Sequence, residues 1–110
     1  MDWAELSYQN GWVNYGDNEN ADAAFCRRNG IVYLKGLVKD GITSSTTVIA
    51  TLPLGCRPER NSHFTTWSVN YPIYLRINAA GQLNIGGAIA GGVVNSAWVS
   101  LDGISYPAAR

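Results

Sequence analysis

The chain has no excess of charge. Eight Lys and Arg balance eight Asp and Glu, and only 15% of its 110 residues are charged. A neutral chain lacks the field that would steer it to nucleic acid or to an anionic membrane, so neither partner is expected. It also lacks any apolar run of about 18 residues, and its first residues, Met1-Asp2-Trp3-Ala4-Glu5, have neither the basic head nor the apolar stretch of a secretory leader. No membrane insertion is expected.

The side chains that carry most enzymatic chemistry are equally sparse. His63 is the only imidazole; its neighbour Ser62 points to the opposite face of any strand that holds both, which rules out a Ser-His relay. The two cysteines, Cys26 and Cys56, form no CxxC pair, and no HxxxH accompanies them, so no metal site is expected. Without an export signal they read as unpaired, buried small apolar groups. The carboxylates, among them Glu5, Glu19 and Glu59, lie mostly in turns and loops, where they serve as turn formers rather than as the facing pair of a glycosidase. Asp17, Glu19 and Asp22 are closely spaced, yet the glycine and bidentate glutamate of a calcium loop are missing, and a solvated loop is the plainer reading. Gly86, Gly87, Gly91 and Gly92 are not followed by the Lys-Ser/Thr of a phosphate loop, so no nucleotide cofactor is expected. They mark either a mobile loop or a close approach of backbones.

What is present is the composition of a sheet protein. Hydrophobic residues make up 46% of the chain, which excludes disorder, and Val, Ile, Thr, Tyr, Phe and Trp outnumber the strong helix formers. Asn10-Gly11, Asn29-Gly30, Asp40-Gly41 and Asp102-Gly103 punctuate short alternating runs. The clearest of these is a hairpin from Ala23 to Val38 about Asn29-Gly30. Its second run places Val32, Leu34 and Val38 on one face and Ile31, Tyr33, Lys35 and Leu37 on the other, so both faces should meet protein. Ile73, Leu75 and Ile77 should face the core with Leu83 and Ile85, and Tyr74 and Arg76 should face out. About eight to ten strands at this spacing predict an all-β fold, an antiparallel β-sandwich of the jelly-roll kind, in one domain over residues 1–110.

Twelve aromatic residues accompany many amides and hydroxyls. Such a mixture suits carbohydrate, whose apolar face stacks on Trp or Tyr while amides and charged groups bond its hydroxyls. The densest patch runs from His63 to Arg76. Here His63 and Trp67 share one strand face, Tyr74 and Arg76 point outward from the next strand, and Asn70 and Tyr71 sit at the connecting turn of Asn70-Tyr71-Pro72. These six residues form the candidate ligand site; the competing reading places Trp67 in the core and scatters the others over the surface. Trp98 reads as a packing anchor in the core or at a subunit interface.

Several segments, in order, resemble the C-terminal head domains of phage tail fibres and baseplate receptor-binding proteins. They are Gln9-Asn10-Gly11-Trp12, Arg28-Asn29-Gly30-Ile31-Val32-Tyr33-Leu34-Lys35-Gly36, Val48 to Pro58 with its Leu-Pro-x-Gly-x-Arg-Pro, and Trp98 to Pro107. The resemblance implies a β-sandwich, assembled as a homotrimer on a shaft not contained in this chain. It implies a virion tail location and non-catalytic recognition of a bacterial surface saccharide or teichoic-type polymer. The trimer would account for an apolar Ile31/Tyr33/Leu37 face. The matched segments are architectural, and the His63 to Arg76 patch lies outside them. Two other readings stand beside this one: a trimerisation or capping module without ligand, and a polysaccharide depolymerase with carboxylates gathered in a groove.

Overall fold

The computed structural model describes residues 1–110 and contains twelve β-strands and no helix; no helix is long and apolar enough to cross a membrane. The strands are β1 (Ala4–Glu5), β2 (Ser7–Tyr8), β3 (Val13–Asn14), β4 (Ala24–Arg28), β5 (Ile31–Lys35), β6 (Leu37–Lys39), β7 (Val48–Thr51), β8 (Ser62–Ser68), β9 (Tyr71–Ile77), β10 (Gln82–Ala88), β11 (Val99–Ser100) and β12 (Ser105–Pro107). They form a four-stranded sheet in the order β1-β4-β5-β12, a five-stranded sheet in the order β2-β7-β10-β9-β8, and a three-stranded sheet in the order β11-β6-β3, with every strand pair antiparallel. The two larger sheets pack inner face to inner face. Phe25, Val32, Leu34 and Tyr106 of one meet Ile49, Ile73, Leu75, Ile77, Leu83 and Ile85 of the other in a single core, the arrangement of a β-sandwich.

The hairpin about Asn29-Gly30 forms as expected. Both turn residues take positive φ, 53° and 78°, and Arg28 pairs with Ile31, the primed geometry whose twist matches the flanking strands. The run that follows does not remain one strand. At Gly36 the backbone turns to φ 89°, and a Cβ there would collide with the backbone of Asp22 and Ala23. Beyond Gly36 the chain enters the three-stranded sheet as β6. Val38 keeps the parity of Val32 and Leu34 and joins the core, and Leu37, on the other side of β6, is buried as well. The apolar Leu37 is thus explained within one chain, without a neighbouring subunit, whereas Tyr33 stays exposed.

Three other turns are placed differently from the sequence expectation. Asn10-Gly11 makes its tight turn, with Trp12 N–H donating to the Gln9 carbonyl at 3.2 Å, yet β2 pairs with β7 and β3 with β6. The turn moves the chain between sheets instead of closing a hairpin. Asp102-Gly103 does the same between β11 and β12, and Val93-Val94 lies outside any strand. Between β8 and β9 the turn is Val69-Asn70, with Ser68 opposite Tyr71, so Tyr71 and Pro72 belong to β9.

Trp12 is the tryptophan of the core: 1% exposed, its indole N–H donating to the Ile42 carbonyl at 3.1 Å. Cys26 and Cys56 are both buried and free. Burial raises the Cys56 thiol pKa, and nearby Arg27 only partly offsets this. The connection after β7 is fixed by three bonds: Leu52 N–H to the Gly81 carbonyl, Arg57 Nε–H to the Leu52 carbonyl, and Tyr106 O–H to the Cys56 carbonyl, at 2.8, 2.9 and 2.8 Å. Burial pushes the Tyr106 phenol pKa well above its ordinary value.

Candidate functional site

The outer face of β8 and β9 holds four of the six residues singled out in the sequence. His63 lies opposite Arg76, Thr65 opposite Tyr74, and Trp67 opposite Pro72. His63, Trp67 and Tyr74 are exposed, Trp67 with 53% of its surface in solvent. The competing placement of Trp67 in the core is therefore incorrect. The alternation that exposes these residues buries Thr66, Ser68, Ile73, Leu75 and Ile77 on the other side. Asn70 sits exposed at the tip of the hairpin. Tyr71 has the parity of the inner face and lies at the sheet's end against Gly92, so it does not join the others.

The four residues divide between two depressions. The first, about 380 Å³, is lined by Trp67, Trp98, Tyr15 and Leu37 with Asn20, Ser100 and Asp102. Trp98 is partly buried and lines this cleft, so of its two expected places, the core or a subunit interface, the core is not the one realised within the chain; Trp12 fills that role. A run in which Trp98-Val99-Ser100-Leu101 alternates was compatible with either face, and the crossing of β11 into the third sheet decided between them.

The polar groups of the cleft are partly used and partly free. Asp102 Oδ1 accepts from Gly36 N–H at 2.7 Å, and Ser100 Oγ accepts from Asp102 N–H at 3.1 Å. Asn20 Nδ2 donates to Asp17 Oδ2 at 2.8 Å. The second Asp102 oxygen, the Ser100 O–H and the Asn20 carbonyl remain for a ligand. Lys39 Nζ stands 5.5 Å from the Tyr15 ring centroid and helps hold that wall. Aromatic walls with a few hydrogen-bonding groups between them can stack the apolar face of a sugar and bond its hydroxyls.

The second depression, about 210 Å³, is lined by His63, Tyr74 and Arg76 with Ser45, Thr46 and Gly86. Tyr74 lies flat enough on Gly86 that any side chain there would overlap its ring. Gly86 lies within β10, and what approaches it closely is the Tyr74 side chain and not, as expected, another backbone. Arg76 Nε is buried without a partner.

The acidic loop is occupied with its own backbone and amides. Asp17 accepts from Asn20 N–H and Nδ2 at 2.9 and 2.8 Å, and Asp22 Oδ1 accepts from Asn14 Nδ2 at 2.9 Å. No group of three or more His, Cys, Asp or Glu is placed to hold a metal ion.

The cleft lies at the end of the molecule remote from both termini. Met1 amino donates to the Arg27 carbonyl, Ala108 N–H to Gly30, and Ala109 N–H to Arg57, all at the Asn29-Gly30 end of the β4–β5 hairpin. Leu37 and Asp102, which line the cleft, lie beyond its other end.

No protein-family model matches the chain, and no curated protein does. Among solved structures it is similar to the crystal structure of the receptor binding protein gp15 of Listeria phage PSA, with a TM-score of 0.69 and 24% sequence identity. The likeness covers 96% of this chain and 63% of that one. It shows a shared fold, and this chain accounts for less than two thirds of the other's length.

Proposed function

We propose that this chain is a non-catalytic receptor-recognition domain of a phage tail tip, binding a bacterial surface saccharide or teichoic-type polymer. The observation that carries the reading is the placement of Trp67 and Trp98 on one open cleft at the end opposite the termini. A shaft joined at residue 1 would leave that cleft facing outward. The shared fold with a phage receptor binding protein supports it. Recognition at a shallow cleft is weak for one copy, and a homotrimeric head repeated on a particle would convert it into avidity.

The binding set differs from the six residues of the sequence patch. Trp67 is joined by Trp98, Tyr15 and Asp102, with His63, Tyr74 and Arg76 forming a neighbouring groove along the same sheet face. The test is binding of the purified protein to bacterial cell walls and to a glycan array, with Trp67→Ala beside the parent. Loss of binding in the variant supports the reading. No binding by the parent would instead favour a trimerisation or capping module, equal binding by both would place the contact away from Trp67, and loss of polymer viscosity would favour a depolymerase.

A further inference from the structure

On the opposite side of the sandwich, the outer face of the β1-β4-β5-β12 sheet carries a second built depression of about 580 Å³. The register sets Cys26 beside Tyr33 and Tyr33 beside Ser105, and Trp3, next before β1, continues the row on the far side of Cys26. Buried Cys26 thus lies between two exposed rings, Trp3 at 39% and Tyr33 at 40% exposure. Two cations converge on the Trp3 ring, Arg28 from the lining of the depression and Lys35 from beside it: Lys35 Nζ lies 4.6 Å and Arg28 Cζ 5.9 Å from its centroid. They are therefore no more than about 10 Å apart, within roughly a Debye length at 0.1 M salt. No carboxylate lines the depression; Asn29 and Ser105 supply its neutral polar groups.

We propose that this depression is a binding site for a sugar bearing an anionic group, phosphate or carboxylate. Two like charges held beside one indole repel each other, and an anion bridging them removes that repulsion while forming charge-assisted hydrogen bonds. Arg28 offers a fork suited to either group, and Lys35 a mobile point charge. Tyr33 and Trp3 would take the apolar face of the ring that carries the anion. A neutral sugar gains only the stacking, and a bare anion gains only the charge, so a ligand with both features binds best. The distal cleft, whose only charged lining residue is Asp102, lacks such a pair of cations. The proposal does not depend on that cleft.

The experiment is an NMR titration of the isotope-labelled chain with glucose 6-phosphate, glucuronate, glucose and inorganic phosphate, following the Trp3 indole and the backbone amides of Arg28, Asn29 and Tyr33. Shifts at these positions in the millimolar range with glucose 6-phosphate or glucuronate, and much smaller ones with glucose, are expected. Arg28→Gln with Lys35→Gln should weaken binding by about tenfold or more. Both positions are on the outer face and neither contributes to the core, so the variant's unchanged amide spectrum elsewhere serves as the folding control. The relative affinities for phosphate and carboxylate identify which anion the site takes. Equal shifts with glucose, no shift with either acid, or undiminished binding by the variant would overturn the proposal. So would a Trp3 indole already protected from solvent in an assembled oligomer, which would make this face a subunit contact.

Discussion

The ring of Tyr74 rests on Gly86, so closely that a methyl group on the Gly86 Cα would fall within it. Gly86 needs no left-handed backbone, so Gly86→Ala tests this contact alone. Tyr74 must leave its seat, and because it is exposed it can swing into solvent. We expect a loss of about 1–2 kcal/mol in chemical denaturation. In Tyr74→Ala the added methyl meets nothing, so the double variant should be more stable than the sum of the single changes implies. Additive losses would show that the ring does not rest there.

Alkali should unfold the protein through its buried phenols. Burial raises Tyr8 to about 12, with smaller contributions from Glu5 and Asp22, and raises Tyr106 further. A folded-state pKa above the unfolded value means that the unfolded chain loses its proton first. Stability should be level as pH rises to about 10 and fall from there through about 12 and beyond. Tyr106→Phe removes the bond to the Cys56 carbonyl, which costs about 1–2 kcal/mol at neutral pH. The same variant should lose stability less steeply above pH 10. Urea midpoints measured across this range check both parts.

The strands were legible wherever one face of the chain is buried in the familiar alternation: Ile73, Leu75 and Ile77 are all fully buried, and Asn29-Gly30 closes the hairpin that its residues specify. Connections were less so. Asn10-Gly11 has the residues of a hairpin turn and takes positive φ at both, while Asp102-Gly103 has the residues but takes positive φ only at Gly103; in either case a two-residue turn sets only the local backbone. Which sheet receives the next strand depends on long-range pairing, as with β3 on β6. The same limitation affected the candidate site. Alternation within β8 and β9 correctly placed His63, Trp67, Tyr74 and Arg76 on the outer face. Trp98 and Tyr15, which complete the cleft around Trp67, come from segments distant in sequence that meet only through the third sheet. The turn is Val69-Asn70 and not Asn70-Tyr71-Pro72, which moves Tyr71 into the strand and onto the inner parity.

Gly36 should tolerate no side chain. Its φ of 89° disfavours an L residue, and a Cβ would strike backbone, which cannot rotate away as Tyr74 can. Its N–H is also bound by Asp102. Gly36→Ala should therefore cost more than about 3 kcal/mol, against the smaller loss for Gly86→Ala. Thermal unfolding of the two variants side by side decides it, and a Gly36→Ala protein as stable as the parent would refute the break between β5 and β6.

The two tryptophans of the distal cleft should separate stability from binding to different degrees. Trp67 leaves half its surface in solvent, so Trp67→Ala removes little buried area, and its stability should change by less than about 1 kcal/mol. Trp98 is less exposed than Trp67, and its truncation should cost more because more of its surface is buried. If both rings stack on the ligand, each truncation should nevertheless weaken cell-wall binding by a comparable amount, about 2 kcal/mol or roughly thirtyfold. Arg76→Gln, in the neighbouring groove, gives the contrast: it leaves the cleft walls in place and should reduce binding less than either tryptophan change. Measuring denaturation midpoints and cell-wall affinity for all three variants separates the effects. Affinity lost in proportion to stability would mean that folding, and not stacking, explains the loss; affinity lost for Arg76→Gln alone would move the receptor contact from the cleft to the groove.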